Sequence, residues 1–390
     1  MKKKLVFVHF NRFLDKFDWE RYEFDLLLKK FEIKVHVLVN VVHPHLKNSK
    51  QYAKSANKNI VIFKDFNEWK NSIKKIEKNT LFVFQTFPYS FSSLRIYYYI
   101  KYLKFCTSIF FMNNLPANKS QKNKNNIFNK IWIKILVIYY RPKHSLVFYK
   151  RKFIFLLFRF FPKIFSPNFF FSSGLNLKKF KFSKLIRINS WDFSRTLRNK
   201  KINKKKNSYI LYISDGESRY ESDSTFYNTK RTEDKRVYLK ILNNFLDKIE
   251  KKFRKEIIIA SHPRGNPHLK HDKDFNQRRS YYNLTYELVK NAKFVIALNS
   301  TSLSYAILEK KQIMFICSPS QQKISELSFA KNYSKLIKSP LINIDTYNDL
   351  DKKLTMSVDI RAYKSFKKKY LISASLKQNS YFISKALMEI

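Results

Sequence analysis

Four short polar clusters hold the side chains of this sequence that could do chemistry: SDGES at 214–218, SHPRGN at 261–266, NSTS at 299–302 and CSPS at 317–320. His262 offers an imidazole that can hydrogen-bond or protonate a departing phosphate near neutral pH. Pro263 fixes the turn behind it, Arg264 adds a fork shaped for phosphate oxygens, and Gly265 lets the backbone turn sharply or approach a ligand. Asp215 offers a carboxylate able to take a proton from an acceptor hydroxyl, or to orient it. With Glu217 it also forms a D-x-E that could hold Mg²⁺ through phosphates; with so many basic groups at hand to neutralise phosphate, the expectation is a metal-independent site. Ser300, Thr301 and Ser302 stand where a helix should begin, as N-caps or as hydroxyls around a phosphate. Glu309 opposes the dipole at the far end of that helix and is a candidate partner for ribose hydroxyls. Each has a structural alternative: an acidic surface turn for Asp215, a packed histidine for His262, plain capping for the serines, an exposed surface acid for Glu309.

These clusters need a frame that brings distant residues to one edge. Beyond residue 208 the pattern predicts strands at 209–213, 256–260, 293–298, 312–317 and 341–344, with helices at 234–252, 284–291, 302–310 and 321–331. Each cluster follows a strand, and in a doubly wound sheet ligands bind at the carboxyl ends of the strands. A first alternation precedes it, with strands expected at 5–10, 34–42, 59–63, 81–87 and 108–112, then 169–171 and 185–188. Helical spacing at 19–31 and 66–76 separates several of them.

The expected organisation is an N-terminal Rossmann-like domain over 1–198, a polar linker at 199–207, and a C-terminal Rossmann-like domain over 208–355 that carries the four clusters at its ligand-binding edge. Helices over 356–390 would pack back on the junction. Only three glycines occur, Gly174, Gly216 and Gly265, where average usage would give roughly 27. Each closely follows a strand-like run, so each is read as a position needing unusual backbone.

Net charge is +49, and its distribution is the informative part. No carboxylate occurs between Glu77 and Asp192, a stretch holding 21 Lys or Arg. Within it, 127–165 interleaves aromatic and basic residues with no uncharged run long enough to span a bilayer. That suits a peripheral segment lying on an anionic membrane; a buried helix pair and an RNA-binding face are the alternatives. Cys106 and Cys317 both lie in apolar runs, and the short apolar start at Leu5–Phe10 reads as a strand rather than a signal peptide. A cytoplasmic protein at the inner face of the plasma membrane is expected. The P-loop, G-x-G-x-x-G, zinc-like Cys/His spacing and G-x-S-x-G are all missing from the sequence.

Taken in order, Asp-Gly, His-Pro and the Ser/Thr cluster resemble bacterial inverting glycosyltransferases of the GT-B fold that use CMP-activated acidic sugars, such as sialyl-, polysialyl- and Kdo transferases. The stretches YLKILNNFLDKIEKKFRKEIIIASHPRG and ELVKNAKFVIALNSTSLSYAILEKKQIMFI, and INSWDF at 188–193, are also similar to surface-polysaccharide biosynthesis proteins. The resemblance covers roughly residues 185–320. It implies an α/β GT-B-like fold, two Rossmann-like doubly wound domains facing a central cleft, and transfer of an acidic sugar from a CMP donor to a glycan or lipid-linked acceptor. Asp215 would be the base, His262 would assist departure of CMP, and the hydroxyls of Ser300, Thr301 and Ser302 would hold its phosphate. Because the family's acidic motif is often N-terminal, Asp18, Glu20, Glu23 or Asp25 could instead supply the base. A CDP-polyol phosphotransferase would share the phosphate site and the histidine, and a non-catalytic RNA-binding protein is the alternative of another class. The transferase reading itself expects no nucleic-acid partner.

Overall fold

The computed structural model describes residues 2–10, 14, 16–44, 57–85, 90–111, 149, 153–154, 156–174, 182–198, 209–214, 235–261, 271–298, 300–321, 324–346, 357–372 and 375–388. The expected linker at 199–207 lies outside them, as do Asp215, Gly216, Glu217, His262, Arg264 and Gly265.

The first sheet contains seven strands: β1 (Lys4–His9), β2 (Glu32–Val37), β3 (Ile60–Ile62), β4 (Leu81–Phe84), β5 (Cys106–Phe111), β6 (Phe169–Ser172) and β7 (Lys184–Arg187). Their order is 3-2-1-4-5-6-7, and every pairing is parallel. The chain therefore reverses direction of travel beside β1, the doubly wound pattern. Strands buried on both faces read as unbroken apolar runs, and Leu81–Phe84 is buried at all four positions.

The second sheet contains β8 (Tyr209–Ile213), β9 (Ile257–Ser261), β10 (His271–Asp272), β11 (Arg278–Tyr282), β12 (Ala292–Ala297), β13 (Gln312–Cys317) and β14 (Leu341–Asn343). Their order is 10-11-9-8-12-13-14. Only the edge strand β10 runs antiparallel. Strands β10 and β11 were not expected from the sequence. RRSYY lacks the apolar run that marks a buried strand; it is held instead by Arg278, whose guanidinium bonds Asp247, Glu250, the Asn243 side chain and the Phe275 carbonyl.

Helical spacing at 19–31 predicted one helix, and the chain forms two, Lys16–Arg21 and Phe24–Leu28. The break falls at Glu23, which takes a left-handed conformation (φ 58°). Its buried carboxylate accepts from the Ser194 hydroxyl and, at 2.7 Å, from Ser380 N–H. Likewise the run expected as a strand over 34–42 ends at Val37 and turns into the helix Val39–Val42.

The cores divide by sheet. One cluster surrounds the second sheet, and two flank the first on its opposite faces. The chain's last elements cross between them: Tyr363, Phe366, Tyr370 and Leu371 join the second core, while Ile383, Ala386 and Leu387 of the helix Asn379–Met388 join the first.

Candidate functional site

Parallel register aligns the ends of the second sheet's central strands. Ala260 of β9 pairs with Ile213 of β8, Ile213 with Ala297 of β12, and Ala297 with Phe315 of β13. One continuous row thus runs across four strands, and the chain leaves each within a few residues of it on the same edge. All four polar clusters begin there. Ser214 and Ser261 follow directly on neighbouring strands, with Ser214 N–H donating to the Ala260 carbonyl at 3.1 Å. Asp215 and His262, the proposed base and acid, come next in sequence and lie outside the described residues, as do Arg264 and Gly265. What the structure supplies for them is the placement of their immediate neighbours.

The hydroxyl cluster is described directly. Ser300 and Ser302 are half-buried and Thr301 is exposed, so their hydroxyls line the strand-to-helix turn. Ser302 N–H donates to Ser300 Oγ at 3.2 Å. Leu303, Ser304 and Tyr305 then close onto Ser300, Thr301 and Ser302 by i to i−3 bonds, a tight turn leading into the helix Leu303–Leu308. Ser302 occupies the N-cap position with helical dihedrals and makes no side-chain capping bond. The helix is shorter than the expected 302–310. Glu309 stands at its other end, about 9 Å along a six-residue helix, where Oε1 accepts from the Tyr286 hydroxyl at 3.0 Å. Burial, and then Glu309 itself, push the Tyr286 phenol upward.

Two of the clusters are tied down by groups that sequence reasoning did not select. Asp345 accepts from the Ser318 hydroxyl and from Ser320 N–H at 2.9 Å, which fixes the CSPS turn. The Ser261 hydroxyl bonds Ser280 on β11. Both partners were hidden because β11 was not expected and Asp345 lies 25 residues from Ser320.

The largest omission is a polar seam joining the two sheets' helices. Asp192, 4% exposed, accepts from Ser304 Oγ at 2.5 Å through Oδ2, and its Oδ1 lies 3.7 Å from Arg21 Nη2. Arg195 reaches the Asn283 carbonyl at 3.3 Å and Glu287 at 3.6 Å. Desolvation opposes the charge of Arg21 more than any single neighbour supports it, but Asp192, Tyr22, Tyr305 and Asp18 together more than offset it and hold the guanidinium protonated. Ser304 is two residues past the hydroxyl cluster, so the helix Trp191–Arg198 grips the phosphate-site candidate from behind. INSWDF was noticed as a segment; its aspartate's partner, 112 residues away, left no local signal.

Among the alternative bases, Glu23 has both oxygens engaged and is 1% exposed, so it anchors structure and is closed to an incoming hydroxyl. Asp25 accepts from Trp19 Nε1 at 2.7 Å. Among the described residues no group of three or more His, Cys, Asp or Glu could hold a metal ion. A cavity of about 300 Å³ lined by Lys4, Glu32, Lys34, His36, Phe63 and Thr80 among others opens at the amino ends of β1 and β2. It lies in the first sheet's layer and apart from the clusters.

No family model matches the chain, and no curated protein matches it in sequence. Solved structures do. Phytolacca americana UGT2, complexed with UDP-2fluoro-glucose and pterostilbene, aligns over 99% of both chains with a TM-score of 0.52 at 8% identity. Acinetobacter baumannii MurG aligns over 100% of both chains (TM-score 0.49, 9% identity). The Methanocaldococcus jannaschii UDP-GlcNAc 2-epimerase in complex with UDP-GlcNAc and UDP also aligns over 100% of both (0.46, 12%). The chain has the GT-B fold, two Rossmann-like domains. At these identities the likeness concerns fold alone.

Proposed function

We propose that this protein is a nucleotide-sugar-dependent, metal-independent glycosyltransferase of surface-polysaccharide biosynthesis, making capsule, O-antigen or lipooligosaccharide. The observation that carries the proposal is the aligned row Ala260, Ile213, Ala297 and Phe315, because it ends at one sheet edge the strands that the His-Pro-Arg-Gly, Asp-Gly and Ser/Thr segments follow in sequence. That edge is where doubly wound sheets bind ligands. A donor nucleotide would sit against the C-terminal half, with Ser300, Thr301, Ser302 and Arg264 on its phosphates and Glu309 toward the ribose. His262 would hydrogen-bond or protonate the departing phosphate, while Asp215 would take the proton of the acceptor hydroxyl. Attack from the face opposite the leaving phosphate inverts the anomeric centre. The bound UDP-sugar of the plant neighbour supports a nucleotide-sugar donor in general; the order of motifs favours a CMP-linked acidic sugar. The acceptor, a glycan or lipid-linked glycan, would enter from the N-terminal half at the inner face of an anionic membrane. Closure of the two halves would exclude water.

The test is a thermal-shift panel of CMP, CDP, UDP and GDP against wild type and His262→Ala. CMP is expected to raise the melting temperature most, and the variant to lose most of that shift. No stabilisation of wild type by any nucleotide overturns the proposal. Asp215→Asn should keep the CMP shift while turnover falls about 10²–10⁴-fold, the range for a lost general base.

A further inference from the structure

Sixteen large apolar side chains stand exposed among the described residues, and nine of them lie on two stretches, the helix Phe91–Tyr102 and residues 149–164. On the second, Phe160 is 66% exposed, Phe161 52%, Phe153 49% and Ile164 48%. The helix contributes Tyr102 and Tyr98, 69% and 48% exposed. The inner sides of the same stretches are core: Ile96, Tyr97 and Ile100 are fully buried, and Ile154 and Phe158 nearly so. The outer rings are therefore a second apolar face, in addition to the one the fold consumes.

The two stretches form one surface. Tyr97 and Phe158 rings lie 5.7 Å apart, Phe91 and Phe153 6.1 Å, and Tyr98 and Phe165 6.2 Å. The Tyr97 hydroxyl donates to the Phe165 carbonyl at 2.9 Å. Every formal charge on this surface is positive, because no Asp or Glu occurs between Glu77 and Asp192; Arg95, Arg159 and Lys163 are all exposed. No described helix is long and apolar enough to cross a bilayer.

We infer that this face is a docking surface for an anionic lipid bilayer. Phe153, Phe160, Phe161 and Ile164 enter the headgroup and acyl boundary, and Arg95, Arg159 and Lys163 meet lipid phosphates. A second copy of the chain would set like charges against each other. RNA would use the rings as stacking platforms but gains little from Leu156 and Ile164, aliphatic groups exposed in the same row. The inference deepens the membrane-facing part of the proposed function by naming the surface, and its test reads binding without turnover. Its failure is thus distinguishable from failure of the transferase reading, which the nucleotide panel decides.

The experiment is flotation of the full chain with vesicles of phosphatidylcholine alone or with 30% phosphatidylglycerol, at low and high salt. Wild type should bind the anionic vesicles and lose much of that binding at high salt. Phe160→Ser/Phe161→Ser/Ile164→Ser should bind at least tenfold more weakly at both salts with an unchanged melting temperature, since these side chains are exposed. Arg159→Gln/Lys163→Gln should weaken only the anionic, salt-sensitive part, by about fivefold per charge, which corresponds to about 1 kcal/mol each. Equal binding of wild type and the triple variant overturns the inference. So does indifference to lipid charge, or displacement of the protein from vesicles by single-stranded RNA.

Discussion

His36 shows at the scale of one residue what burial without a partner does. It sits on β2 with its ring 4.9 Å from that of Phe63, and its Nδ1 has no hydrogen-bond partner. Burial first, and then the charge of Lys34, push its pKa down to about 3. The unfolded chain holds an ordinary histidine near 6.5, so the unfolded state binds the proton across the interval between these values. Stability is full above about pH 6.5 and falls as pH drops through that window, by at most about 1.4 kcal/mol per pH unit. Comparing wild type with His36→Leu in denaturant titrations at pH 7 and pH 5.5 isolates this residue. The variant should escape about 1 kcal/mol of the acid-side loss, and parallel pH profiles would refute the assignment.

At the scale of the element, the scarcity of glycine acquires a different meaning. Helices commonly end on a residue in the left-handed region, usually glycine. Four helices here do so on a basic residue: Lys104, Arg254, Lys310 and Lys338, with φ between 49° and 60°. Each is followed by the i to i−5 bond of a Schellman turn, Phe105 to Ile100, Lys255 to Glu250, Lys311 to Ala306 and Ser339 to Ser334. The sequence reading took the three glycines as the places needing unusual backbone. Gly174 does take φ 79° after β6, but eight other residues among those described also adopt positive φ, so glycine count measures composition more than geometry. Helix ends expected at 252, 291 and 310 fall within two residues of those observed, whereas the helix expected to stop at 331 runs on to Ile337, where Lys338 gives no glycine signal. Lys104→Gly and Lys310→Gly, at exposed sites, should each stabilise by about 1 kcal/mol by relieving the Cβ clash, and their effects should add because the sites lie on different sheets' helices. Thermal denaturation of the two single variants and the double variant checks both claims.

The same scale explains why the seam was missed while the strands were legible. Strands such as Leu81–Phe84 announce themselves by local apolar runs, whereas Asp192 and Ser304 meet only through tertiary packing. Their bond ties the helix Trp191–Arg198 to the helix that begins at the hydroxyl cluster. Ser304→Ala leaves one oxygen of a buried carboxylate unpaired, costing about 1–3 kcal/mol, and Asp192→Asn weakens the contact with Arg21. A double-mutant cycle should return a coupling of at least about 1 kcal/mol. Additive effects would mean that the two groups do not communicate.

The whole molecule is closed by its C-terminal crossing. After Leu371 leaves the second core, the chain bonds the 189–198 segment repeatedly: Ser190 N–H donates to the Leu371 carbonyl at 2.8 Å, the Asn379 side chain accepts from Asn189 N–H and donates to the Asn189 carbonyl, each at 2.9 Å, and Asn379 N–H donates to Ser194 Oγ at 2.8 Å. Ile383, Ala386 and Leu387 then complete the first core. Removing residues 375–390 therefore does more than trim an end. It exposes the apolar surface that Ile383 and Leu387 cover, worth about 2 kcal/mol for each, and it takes from Glu23 the Ser380 N–H that one of its buried oxygens needs. The second core loses none of its members. The truncated chain should consequently unfold in two calorimetric steps, the earlier one belonging to the first sheet, where the intact chain unfolds with its two cores linked. Hydrogen exchange locates the early step: amides of β1, β2 and β7 should lose protection while those of β8, β9 and β12 keep theirs, and a uniform loss across both sheets would mean that the seam alone couples them.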